Sequence, residues 1–111
     1  MDTRLNSPEI IKKILADFAE TRTRSGGSPL KILFDDERKS YMVLRMGWQG
    51  KRYIHSATVH IEIVGDKIWV QNDHTEEGIA TDLLEAGIPG ENIVLGFRDP
   101  KIRQHTEFAQ G

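Results

Sequence analysis

The stretch SYMVLRMGWQGKRYIHSATVHIEIVGDKIWVQN, Ser40 to Asn72, decides the fold. It is rich in β-branched, aromatic and long apolar residues and is punctuated twice by glycine beside a polar residue. That is the pattern of consecutive strands joined by tight turns. Gln49-Gly50 is read as one turn and Gly65-Asp66 as the other, giving strands at Ser40–Trp48, Lys51–Val64 and Lys67–Asn72. Two-residue loops set the register. Across Gly65-Asp66, Ile63 faces Ile68 and Ile61 faces Val70. Across Gln49-Gly50, Met46 faces Tyr53, Leu44 faces His55 and Met42 faces Ala57. With strict alternation all of these share one side of the sheet. That side is the expected core, with His55 as a hydrogen-bonded core imidazole. The other side then holds Tyr41, Val43, Arg45, Ile54, Ser56, Thr58, His60, Glu62, Trp69, Gln71 and Asp73, an amphipathic face left partly open.

Working outward, Leu30–Asp35 reads as a preceding strand, with a turn around Asp36–Lys39. Residues 7 to 21 form an amphipathic helix. Asn6 or Ser7 caps it, and Ile10, Ile11, Ile14, Leu15 and Phe18 make its apolar stripe. Thr21–Pro29 has turn formers and no apolar residue, which predicts a loop. On the other side, the strand runs into Gln71–Glu77, a dense polar cluster, and then into a helix over Glu76–Ala86. Asp73 and Thr75 compete as its N-cap, Glu76 and Glu77 suit its dipole, and Gly87 is its C′ residue. Asn92–Phe97 reads as a short buried strand, and a tail follows from Arg98. The expected architecture is a single α+β domain over residues 1–111. It has an N-terminal helix, a four-stranded antiparallel meander, a second helix, a short extra strand and a C-terminal tail. The helices lie on one face of the sheet.

With 111 residues, 38% hydrophobic and 29% charged, the chain suits one globular domain. The net charge of −2 argues against an electrostatically driven nucleic-acid binder. The absence of cysteine excludes disulfides, Cys-based metal sites and a thiol nucleophile. No apolar run reaches membrane-spanning length and the N-terminus lacks the pattern of a signal peptide, so the expected location is the cytoplasm.

Three readings of the polar residues compete. Trp48 and Trp69 beside Tyr41 and Arg45 have the composition of an interface hot spot. His60, Glu62 and Asp73 are metal-capable residue types, but side chains on a flat sheet run parallel and do not converge, which favours a polar stripe. Arg22 and Arg24 in the loop, with Arg98, Lys101, Arg103 and His105 in the tail, could meet phosphates. Glycine-rich phosphate loops and nucleophile elbows are absent.

The string Ile68-Trp69-Val70-Gln71, Asp73, Thr75-Glu76-Glu77-Gly78-Ile79-Ala80 is specific. With it go Ala86-Gly87-Ile88-Pro89, Ile93-Val94-Leu95, Phe97, Pro100, Arg103 and Thr106-Glu107-Phe108-Ala109. Gly47-Trp48, Arg52, His55, Val59-His60-Ile61 and Asp66-Lys67 fit the same pattern. Together they resemble the fdxN element excision controlling factors, the XisI family of cyanobacteria. The resemblance covers nearly the whole chain. It implies a cytoplasmic, single-domain accessory protein of programmed DNA excision during heterocyst development. It further implies a companion, XisH, that resembles nucleases in fold, and a site-specific recombinase that performs the chemistry. No catalytic residue and no cofactor come with it.

The expectation is therefore a non-catalytic protein that docks on a XisH-like partner or a recombinase, with self-association as a further possibility. Its partner-binding residues would be Arg45, Trp48, His60, Trp69, Gln71, Asp73, Arg103 and Phe108. The alternatives are a DNA-contacting factor using Arg22, Arg24, Arg98, Lys101 and Arg103, and a metal-dependent hydrolase around His60, Glu62 and Asp73.

Overall fold

The protein is described here by a computed structural model, which defines residues 6–24, 30–75, 78–103 and 108–109. Helix α1 (Ser7–Arg24) leads into β1 (Leu30–Asp35), β2 (Ser40–Gln49), β3 (Arg52–Val64) and β4 (Lys67–Asp73). Helix α2 (Ile79–Glu85), a 3-10 turn (Gly90–Asn92), β5 (Ile93–Leu95) and α3 (Pro100–Arg103) follow. The strands form one five-stranded sheet in the order β1-β2-β3-β4-β5. The first four are antiparallel neighbours, and β5 joins β4 in parallel. The expected meander, second helix and extra strand are all present.

Each helix end has a local cause. Asn6 Oδ1 accepts the Glu9 amide at 3.0 Å, so Asn6 is the cap that starts α1. The helix continues to Arg24, through Thr21–Arg24 where a loop was expected. The Thr23 hydroxyl folds back onto the Ala19 carbonyl at 2.9 Å, and Arg24 pairs with Glu20 one turn earlier. The remainder of that expected loop lies outside the described residues. Helix α2 closes as expected at Gly87, whose φ is 102°. The Gly87 amide reaches Leu84 O and the Ile88 amide reaches Leu83 O, a Schellman ending that also buries Ile88.

The core lies between the sheet and the helices. Ile11 and Leu15 of α1, and Ile79 and Leu83 of α2, pack on Tyr41, Val43, Val59, Ile61, Ile68 and Val70. Tyr41 and Val43 were expected on the opposite face, and the correction has two parts. The β2–β3 turn is Gly50-Lys51, since Gln49 pairs with Arg52 and Trp48 with Tyr53. Gly50 takes a φ of 61°, and glycine belongs at the first central position of a type II′ turn. That shift moves the pairing by two residues and keeps the faces. The second part reverses them. Val43 pairs with Val59 but Leu44 pairs with Ala57, leaving Thr58 as an extra residue on β3. This bulge turns everything from Arg52 to Ala57 over relative to Val59–Val64. The inner face therefore carries Tyr41, Val43, Arg45, Ile54, Ser56, Val59, Ile61, Ile63, Ile68 and Val70. The outer face carries Met42, Leu44, Met46, Trp48, Tyr53, His55, Ala57, His60, Glu62 and Trp69. His55 is exposed, not a core imidazole. A second bulge leaves Gln71 extra on β4, because Ile61 pairs with Val70 and His60 with Asn72.

Candidate functional site

The junction after β4 is a structural tie. Asp73 pairs with Val59 on the inner side. Its Oδ2 accepts the Ile79 amide at 2.7 Å, and its Oδ1 accepts the Thr75 amide and hydroxyl at 3.0 and 2.6 Å. The Thr75 hydroxyl in turn accepts the Gly78 amide at 3.0 Å. The residue at the N-cap position of α2 is Gly78, which has no side chain to offer. Asp73 and Thr75, expected to compete for the cap, satisfy the amides around it together. Glu76 and Glu77 lie outside the described residues.

On the outer face the polar residues form a connected chain. Ser40 Oγ and His60 Nε2 share a hydrogen bond of 2.9 Å. His60 Nε2 lies 3.8 Å from Glu62 Oε2, and Gln71 Nε2 donates to Glu62 Oε1 at 3.1 Å. Glu62 pairs with Trp69 across the strands. The Arg103 guanidinium stands 5.6 Å from the Trp69 ring centroid, so the end of α3 is held over β4. Gly96, just after β5, passes close to the same strand: a Cβ there would lie 2.8 Å from Gln71 Oε1 and 3.1 Å from Trp69 Cε3. The result is a half-exposed patch of hydrogen-bonding groups around one indole.

Beside it runs an apolar row. Met42, Leu44, Met46 and Trp48 alternate along the outer side of β2, flanked by Leu33, Ala57 and Tyr53. The Trp48 and Tyr53 rings meet edge to face at 5.3 Å between centroids while remaining 71% and 52% exposed. The face assignment made from alternation hid this row, by counting Met42, Leu44 and Met46 into the core. One signal was available. Tyr41-Met42-Val43-Leu44 is apolar at both parities, as in a strand covered on both sides. The bulge at Thr58 has no comparable mark in the sequence.

The expected partner residues thus divide. Trp48, His60, Trp69, Gln71 and Arg103 are on the outer side. Arg45 pairs with Ser56 on the inner face and donates to Gln49 Oε1 at 2.9 Å. Asp73 is committed to α2, and Phe108 packs against the core. The expected cations are also spread among neighbours. Arg22 lies over Phe18, Arg24 pairs with Glu20 and Arg98 lies over Phe97, while Lys101 is exposed. His60 and Glu62 face away from Asp73 across the sheet, so the three carboxylate and imidazole groups do not converge. Among the described residues no group of three or more His, Asp or Glu is placed to hold a metal.

Two further features had no sequence signal. A groove of about 550 Å³ opens between α1 and α2, lined by Ile14, Phe18, Arg22, Asp17 and Asp82. On the far side of α1, Lys12 Nζ contacts Asp36 at 2.9 Å and the Tyr41 hydroxyl donates to the same carboxylate at 2.9 Å. Burial, and then the bond to Asp36, pushes the Tyr41 phenol up to about 12. The bonds from Lys12 and Tyr41 hold the Asp36 carboxyl below its usual value, and Asp36 raises Lys12.

The family model described as "XisI protein" matches residues 1–110. A XisI-like protein of known structure from Anabaena variabilis is 33% identical, with a TM-score of 0.83, over 92% of this chain and 94% of that one. The fdxN element excision controlling factor XisI from Anabaena variabilis is 27% identical, with a TM-score of 0.74, over 96% of this chain and 100% of that one. No functionally curated protein matches. No helix among the described residues is long and apolar enough to cross a membrane.

Proposed function

The chain belongs to the XisI family, and from that premise we propose that it is a non-catalytic accessory protein that controls DNA excision by docking on another protein. The partner is a XisH-like companion of nuclease-like fold, or the recombinase that the companion serves. The observation that carries this reading is the outer patch in which Ser40, His60, Glu62 and Gln71 are linked side chain to side chain across three strands, with Trp69, the cross-strand neighbour of Glu62, under the Arg103 guanidinium of α3. An indole framed by a guanidinium and amide groups is the chemistry of an interface anchor. Trp69 supplies buried area, while His60, Gln71 and Arg103 set orientation. Arg45, Asp73 and Phe108 support the fold from the inner side.

Co-expression with the companion protein, followed by mass measurement of the purified complex, tests the reading. Wild type is expected to hold the companion, and Trp69→Ala with Arg103→Ala is expected to lose it while keeping its own circular dichroism. A complex that survives the double variant removes the patch as the docking site. A wild-type chain that ignores the companion but shifts excision-site DNA, with a steep salt dependence, replaces the reading with direct DNA contact.

A further inference from the structure

We propose that the outer face of β1–β3 is a self-association surface, seated against a second copy of this chain with the two β2 strands running in opposite directions. This rests on the reading of the outer side as an interaction face, but its apolar row and cationic tip are separate from the companion patch, and Glu62 alone borders both.

Three observations point to a missing layer. First, the apolar row Met42, Leu44, Met46 and Trp48 faces away from α1 and α2, and no described helix packs on it. Contiguous apolar surface of this kind marks contact with protein, and the thioethers of Met42 and Met46 adapt readily to a partner. Second, exposed large hydrophobics concentrate there. Of the eight among the described residues, Leu33, Met46, Trp48, Tyr53 and Val64 lie on the outer side of β1, β2 and β3, while Ile32 pairs with Val43 on the inner side. Third, the end of the β2–β3 hairpin stands alone. The β1 pairing stops at Arg45 and the β4 pairing stops at Val59. Among the described residues, 46–49 and 52–55 therefore pair only with each other, and a two-stranded ribbon by itself is marginal.

Charge selects the occupant. The hairpin tip carries Lys51 and Arg52, a net of +2. The opposite end of β2 carries Asp35, Asp36, Glu37 and Glu62 against Arg38, Lys39 and the Lys12 that pairs with Asp36, which is 3 − 4 = −1. From Met42 to Lys51 the strand and turn span roughly 30 Å at ~3.3 Å per residue. A second copy packed face to face about a two-fold axis crossing β2 brings each cationic tip onto the other's acidic end. The contact is made twice by symmetry, and the apolar rows meet between the two. A nucleic acid would match only the tip and would leave the row of Met and Leu uncovered.

Light scattering of the full chain during size exclusion reads the outcome. Wild type is expected at twice the 12.6 kDa chain mass at micromolar concentration. Met46→Glu with Trp48→Glu is expected to be monomeric with unchanged circular dichroism. Lys51→Glu is expected to weaken the dimer at least tenfold, and Glu37→Lys added to it to restore most of that loss. This charge exchange leaves the apolar row untouched and keeps the test valid should the double variant fail to fold. A wild-type monomer overturns the proposal, as does a dimer indifferent to both sets. So does a row that becomes protected only when the companion binds, which would assign it to that protein. Loss of companion capture by Arg103→Ala in an intact dimer would leave this proposal standing, whereas companion capture that survives Arg103→Ala with Trp69→Ala would sink the docking patch alone.

Discussion

Asp73 shows how one side chain is spent. It lies in the middle of the most specific motif of the chain, and its two oxygens are taken by Thr75 and by the first turn of α2. Replacing Asp73 with Ala leaves the Ile79 amide without its acceptor and frees Thr75. The expected loss is about 2 kcal/mol in urea unfolding, the range of a charge-assisted cap. Thr75→Ala should cost about 1 kcal/mol, and the double variant less than the sum, because the two side chains serve one junction. An Asp73→Ala protein as stable as wild type would contradict the tie. Tyr41 gives a second test at this scale. Its phenol is raised from 10.0 to about 12, so the fold favours the neutral form. That contribution is complete below pH 10 and is lost as pH rises from 10.0 to about 12. Spectrophotometric titration of a Tyr53→Phe protein, in which Tyr41 is the sole tyrosine, should show the late midpoint. Tyr41→Phe should abolish the alkaline loss of stability and cost about 1 kcal/mol at neutral pH. The Asp36 end has the opposite sign: its contribution is present above its usual 3.8 and is lost as pH falls below that value.

Strands, turns and helix ends carry the next level. The order of elements was legible because each depends on nearby residues. Alternation marked β2 to β4, Gly65-Asp66 marked one turn, and Gly87 marked the end of α2. The β2–β3 turn was displaced by one residue because Gln49-Gly50 and Gly50-Lys51 look alike as strings. They differ in which central position needs a positive φ, and Gly50 at 61° occupies the first. Gly50→Ala meets no neighbouring atom within 4 Å, so its cost comes from backbone strain alone. It is expected to destabilise by roughly 1–2 kcal/mol without moving the core. A neutral effect would argue for a different turn.

For the whole molecule, the decisive feature is the Thr58 bulge. It carries the apolar positions of the hairpin end to the outside while Tyr41 and Val43 stay in the core. It is also tied from β4: the His74 amide reaches Thr58 O at 2.8 Å and the Asn72 side chain reaches Ala57 O at 2.8 Å. The chain is thus built as a helix-backed sheet with a long ribbon beyond it. Amide exchange should report this division. Amides of residues 52–55 are expected to open far more often than those of Val59–Glu62, which pair on both sides. Uniform protection along β3 would show that the ribbon is not the weak part of the fold.

What the sequence determined by itself was the set of elements, their order, the apolar stripes of both helices and the XisI pattern along nearly the whole chain. These are properties of short stretches, where spacing and turn chemistry act locally. Only the tertiary structure decided which face each half of the β2–β3 hairpin presents. That choice separates Arg45 and Asp73 from Trp69 and His60, and it places Met42, Leu44, Met46 and Trp48 outside the core. The physical reason is that one extra residue in one strand reverses the parity of everything beyond it. Its position is set by what β4 and the helices require of the sheet, and not by any local preference around Thr58.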